Sequence, residues 1–319
     1  MNSTEIPFKC NETYNPYLET LKYIACFSYL FPALLLHSII LKTLFFTKNS
    51  FRESSFFQIY ATDSIASLYL LFWNICFDRL FLFVPFLCPI VGPVFWSPSV
   101  FLRLYYSSTA HARFTKSVVQ IFMVLNRMSC VLMPADYVQI WQKLTPISII
   151  LIVILPFGAI WNVIISRPYL SPSYGGFGVD YIKAIEWASA SMFQSIYVLT
   201  ALVVTVVGST VTLQQLISLP DRIKSAEKSL CFTSIFMSIG FLGLGATQVI
   251  YLFCSPCRRF LFVIQFLAFD IFNVGSAVIM LVTNVQLREA IWKSFRRTRR
   301  SFENDRVFQV SINNSSSRH

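Results

Sequence analysis

Charge is scarce in this chain: Asp, Glu, Lys and Arg make up 13% of its 319 residues, while 55% are hydrophobic. Too little polar surface remains to coat a soluble globule, which excludes that class. Histidine is rarer still, since His37, His111 and His319 are the only three and none belongs to a metal-binding pair. No serine, histidine and acid arrangement accompanies them, so an integral-membrane enzyme is the weakest reading and no metal or other cofactor is expected. A cleavable signal peptide is lacking as well, because residues 1–20 are polar and the first apolar run is a full span in length.

What fills the chain instead is apolar sequence in seven stretches, at about 22–46, 56–80, 101–133, 145–165, 187–216, 229–254 and 260–284. Each is near the roughly 20 residues that a helix needs to cross a bilayer. The runs do not alternate as lipid-facing strands would, so the expected fold is an all-α membrane protein, a seven-helix bundle. Residues 1–21 form a leader, 285–300 a basic interfacial helix, and 301–319 a tail poor in apolar residues that is expected to be disordered.

Lys and Arg in the connections set the orientation. Arg288, Lys293, Arg296, Arg297, Arg299 and Arg300 directly follow the last span, which places that end in the cytoplasm and, with seven spans, the amino terminus outside. Lys42, Lys48 and Arg52 after the first span agree; Arg258 and Arg259 in an outer connection do not. The net charge of +11 therefore reads as attraction to anionic lipids rather than to nucleic acid. Asn2 and Asn11 open glycosylation sequons on the side this topology puts outside. Cys10, Cys88, Cys254 and Cys257 lie outside the spans, where one or two disulfides are expected to tie the leader or the first outer loop to the last; their connectivity is not readable.

The third stretch is unlike the others. Thr109, Arg113, Lys116, Gln120 and Arg127 recur at spacings that fall within roughly a 60° arc of one helix face. Charged side chains in a span face a bundle interior or a watery cavity, so this stripe points inward and the third helix is the axis of the bundle. An ammonium buried alone is costly, and Lys116 is expected to pair with Asp63 of the second span or Asp270 of the seventh, near Asn273. Such a pair either carries function or only fixes helix register. Toward the outer half, Trp73, Asp78, Arg79, Tyr106, Thr109, Arg113, Gln194, Tyr197, Tyr251 and Gln265 are candidates to line a ligand cavity. Asp78 and Arg79 have the alternative of solvated interfacial charges, and the aromatics that of an interfacial belt. With 16% aromatic residues the cavity is expected to suit a small apolar or amphipathic compound.

The inner end of the third stretch reads Leu125-Asn126-Arg127-Met128-Ser129-Cys130-Val131-Leu132-Met133-Pro134, followed by Tyr137 and Trp141. This segment resembles the Leu-Asn-Arg-Met signature of the nematode serpentine receptors of the gamma class, a chemoreceptor family of seven-helix G-protein-coupled receptors. The resemblance covers most of the chain in span order and is sharpest over residues 114–141. It implies a heterotrimeric G protein as partner, a small-molecule chemosensory ligand, and a plasma-membrane location in a sensory neuron. It also implies that Asn126, Arg127, Met128, Pro134, Tyr137 and Trp141 take part in coupling. Asn126 stands where rhodopsin-like receptors carry an acid and offers only neutral hydrogen bonds, which puts an ionic resting lock in doubt. Spans five to seven contain no proline, leaving Gly240, Gly243 and Gly245 as points of bending or close packing.

Two other functions compete. A secondary transporter would use Asp63, Lys116 and Asp270 as a coupling-ion site, but no interrupted helix pair or repeat between the halves is visible. A seven-span ligand-gated channel subunit of inverted topology would put the basic tail on the wrong side.

Overall fold

The computed structural model describes residues 10, 13–46, 49–95, 99–173, 175–218, 235–250, 258–293 and 296. The expected sequons Asn2 and Asn11, together with Tyr251, Cys254 and Cys257, lie outside them, as does the tail from residue 297.

Helix α1 (Pro16–Phe46) begins inside the expected leader. Asn15 starts it there by accepting the Tyr17 and Leu18 amides at 3.0 and 3.4 Å, which satisfies two of the free amides of the first turn. After α2 (Asn49–Glu53), α3 (Ser55–Trp73) runs through a π-helical turn at Asn74–Asp78 into α4 (Arg79–Phe83). A short α5 (Cys88–Phe95) then meets the axial helix α6 (Val100–Leu132) at a bend of 113°. Ser99 caps α6 by accepting the Leu102 amide at 3.1 Å. Helix α7 (Tyr137–Ile154) starts earlier than the expected fourth span and continues past Pro156 as α8 (Phe157–Ile165). Further on come α9 (Ala190–Ser218), α10 (Ile235–Ile250), α11 (Arg258–Thr283) and α12 (285–293).

Five of these stretches are long and apolar enough to cross a membrane: α1, α3 with α4, α7 with α8, α9, and the 264–283 part of α11. Counted as one broken span, the bent pair of α5 and α6 would be a sixth, and α10 is apolar but shorter. Helix α6, which carries the polar stripe, is sheltered by α3, α7, α8 and α9 packing around it. Close approach has a visible cause at Gly208 of α9, where a Cβ would collide with the Val124 side chain of α6.

The all-α expectation requires a correction. Between α8 and α9 the chain forms an antiparallel hairpin of β1 (Arg167–Ser173) and β2 (Gly176–Ile182), with Ser173 opposite Gly176. Leu170 and Phe177 are buried in an aromatic cluster with Phe77 and Tyr105, with Trp73, Phe81 and Phe95 packed against it. Gly176 lies so close to the Phe81 carbonyl that a Cβ has no room. A disulfide joins Cys10 to Cys88 in the same cluster. It ties the leader to the connection between α4 and α6, not either of them to the last loop. At the opposite end a larger core gathers Ile40, Phe56, Tyr60, Met123, Trp141, Phe272 and Met280, and α12 docks Leu287 and Ile291 into it. Asn284 starts α12 by accepting the Leu287 amide at 2.9 Å. Val285 and Trp292 of the same helix are exposed.

Candidate functional site

The stripe on α6 is buried at Thr109, Lys116, Gln120 and Arg127. Lys116, 1% exposed, sets its ammonium 2.7 Å from Asp63 Oδ1 and donates to Ser67 Oγ at 2.7 Å. The contact with Asp63 joins opposite charges, and Ser67 accepts a hydrogen bond from the same ammonium. The Phe272 ring, 4.5 Å away, closes the remaining side. Of the two carboxylates that sequence offers, Asp63 is the one in contact. Asp270 instead binds Arg79 at 2.8 Å and accepts from the Tyr29 hydroxyl at 2.6 Å, with the Phe266 ring 4.1 Å from the guanidinium. A third pair is looser: Arg113 lies 3.7 Å from Asp78, which also accepts from the Tyr105 hydroxyl.

The π-helical turn explains why Arg79 is inside. In an unbroken helix Asp63 and Arg79 would be about 160° apart; one extra residue in the turn reduces that to about 60°. Neither Asp78 nor Arg79 is the solvated interfacial charge that sequence left open: Arg79 is 4% exposed, and the Asp78 side chain 18%.

Above this ionic layer, on the side of the hairpin, lies a cavity of about 630 Å³. Tyr106, Gln194 and Gln265 line it as expected from depth, and so do Arg113, Asp270 and Asn273 of the polar core. Four other candidates turn away from it besides Arg79. Trp73 packs on Tyr105 with centroids 5.0 Å apart, and Asp78 is engaged as described. Thr109 donates to the Tyr105 carbonyl at 3.0 Å, and Tyr197 donates to the Leu155 carbonyl at 2.8 Å. The hairpin contributes Ser171, Ser173, Val179, Asp180 and Tyr181, and Lys183 follows it. Burial and the nearby Asp180 carboxylate hold the Tyr181 phenol above its usual range, so it stays neutral.

About 16 Å along α6 from Lys116, Arg127 sits in a different setting. It donates to Asn126 Oδ1 at 2.8 Å and to the Tyr137 hydroxyl at 3.2 Å, and its guanidinium lies 4.2 Å from the Phe56 ring. Tyr137 donates to Asn126 Oδ1 at 3.1 Å, and Asn126 donates to Ser55 Oγ at 3.0 Å. Ser55 and Tyr137 are 2.9 Å apart, which closes a ring of hydrogen bonds over α3, α6 and α7. Trp141 reaches Ser129 Oγ at 2.6 Å.

The model of the family described as Srg family chemoreceptor matches residues 23–291. The chain belongs to the Srg chemoreceptor family. It is 52% identical to serpentine receptor class gamma-15 of Caenorhabditis elegans over 97% of this chain and 96% of that protein. Identity is 47% to serpentine receptor class gamma-16 of the same nematode over 99% of both chains, and 46% to class gamma-17 over 95% of both.

In this chemoreceptor the motif around Arg127 is only partly one site. Asn126, Arg127 and Tyr137 form the ring, Trp141 supports it through Ser129, and Met128 faces α9 near Gly208. Pro134 is exposed in the turn between α6 and α7. Ser55, Tyr29 and the hairpin residues escaped sequence reasoning. Ser55 and Tyr29 carry no signal in one sequence. The hairpin has a faint one in Gly175-Gly176 between two short β-prone runs.

Proposed function

We propose that this Srg chemoreceptor detects a small molecule in the cavity beneath the hairpin and signals at the Arg127 end to a heterotrimeric G protein. In this reading α6 and α10 also span the bilayer, giving seven crossings with the amino terminus outside, in the plasma membrane of a sensory cell. The observation that carries it is continuity along α11. Asp270 and Asn273 border the cavity, the Asn273 carbonyl meets His37 of α1 at 2.9 Å, the Ser276 carbonyl accepts from Tyr60 of α3 at 3.1 Å, and Met280 lies in the core beside Arg127's end of the bundle. A ligand that binds one arrangement of α11 more tightly than another thereby biases the far end.

The test is a second-messenger assay in cells expressing the chain, screened with small volatile and lipid-like compounds. Arg127→Ala is expected to abolish the response at unchanged surface level. A ligand response that survives this substitution removes the coupling role. Loss of a glycosidase-sensitive gel shift on Asn2→Gln with Asn11→Gln checks the orientation.

A further inference from the structure

Taking the cavity as the ligand site, we infer that its ligand is a small amphipathic carboxylate held by Arg113 and Lys183. Arg113 lines the cavity with its side chain 32% exposed, and among the described residues its guanidinium makes no hydrogen bond. Its one acid neighbour is 3.7 Å away and shared with Tyr105. Lys183 borders the same space, is exposed, and has no ion pair among the described residues. Gln194 adds a buried Nε2 donor without a partner there.

The acids around the cavity are partly committed elsewhere. Asp270 meets Arg79 and Tyr29 through Oδ2, and Asp180 accepts the Tyr181 amide at 2.8 Å. Asp270 Oδ1 and Asn273 Oδ1 are buried acceptors without a partner among the described residues, whereas the free groups that carry a positive charge are Arg113 and Lys183, both accessible from the cavity. A guanidinium fork suits a carboxylate bidentately, and in a site partly shut off from water that contact is worth more than on a surface. A purely apolar guest would strip water from these donors and return nothing. Phe266, Phe269, Leu70 and Val179 supply the apolar wall for the rest of the molecule.

The experiment uses the full chain in phosphatidylcholine nanodiscs and reads thermal stabilisation by the straight-chain carboxylates butyrate to octanoate and by their methyl esters. Acids are expected to bind at least about tenfold more tightly than the matched esters. Arg113→Gln should bring that ratio close to one while leaving ester affinity within about twofold, and Lys183→Gln, at an exposed position, should reduce it by a smaller factor. Equal binding of acid and ester to the wild type overturns the carboxylate assignment but leaves the cavity as a ligand site. An acid-to-ester ratio that survives in both variants overturns the assignment to these two residues. Stabilisation by neither acids nor esters overturns the cavity reading and this inference together.

Discussion

The two halves of α6 differ in the partners that surround their polar stripe among the described residues. Beside the cavity, Lys116 is paired with Asp63 and Arg79 with Asp270, both pairs buried. At the other end Arg127 is wrapped by an asparagine amide, a tyrosine hydroxyl and a phenyl ring. Removing one partner from a buried ion pair costs about 3–5 kcal/mol, whereas a neutral hydrogen bond contributes about 0.5–1.5 kcal/mol net. The buried ion pairs are therefore costly to break, while each neutral hydrogen bond of the Ser55, Asn126 and Tyr137 ring is cheaper to open.

The largest effect is expected at Lys116. Asp63→Asn leaves a buried ammonium with only Ser67 for support and should destabilise the chain by about 3–5 kcal/mol, seen as loss of surface expression and of a monodisperse peak in detergent. Asp63→Leu with Lys116→Met removes both charges and should restore expression. If that double variant also signals normally, the pair serves helix register. If it expresses and fails to signal, the pair belongs to the transmission path. Normal expression of Asp63→Asn alone would break the contrast between the two ends.

Much of the ionic layer was legible in the sequence, because a 3.6-residue period puts Thr109, Arg113, Lys116, Gln120 and Arg127 on one face whatever surrounds them. Which carboxylate meets which cation was not. That choice depends on the phase of α3 and α4, and the extra residue of the π-helical turn, invisible in Asn74-Ile75-Cys76-Phe77-Asp78, moves Arg79 from the lipid side to Asp270. Cavity lining was read from depth, which fixes height but not direction. Tyr106 and Gln194 therefore belong to the cavity while Thr109 and Tyr197 do not. The hairpin was hidden by Pro168 and Pro172, which weaken β1 as a strand signal, and its pairing rests on Leu170 and Phe177 entering a cluster built by distant helices.

A smaller effect should separate the ends further. Cys10→Ser with Cys88→Ser releases the leader from the loop that backs the hairpin, and a disulfide closing a loop of this size is worth about 2–4 kcal/mol. Because Cys88 packs with Phe77, Leu170 and Phe177, the loss should fall on the cavity side. Hydrogen exchange in nanodiscs is expected to rise over residues 167–182 and stay unchanged over 123–141. Equal loosening of both regions would mean that the bundle opens as one unit.

The smallest change is Tyr137→Phe, which deletes one hydroxyl and keeps the ring. That hydroxyl touches Asn126, Arg127 and Ser55 within 3.2 Å, so its loss opens the ring without leaving a charge wholly bare, since Asn126 still accepts from Arg127. The cost should be about 1 kcal/mol, too little to unfold the chain but enough to change a conformational equilibrium about fivefold. Basal second-messenger output is expected to rise by up to about that factor at unchanged surface level. Ser55→Ala, which breaks the ring on its α3 side, should act in the same direction and add little in the double variant, because both remove the same closure. Fully additive effects would show that the two residues contribute separately to a packed helix junction. The neutral ring would then be no more of a latch than the ionic layer above it.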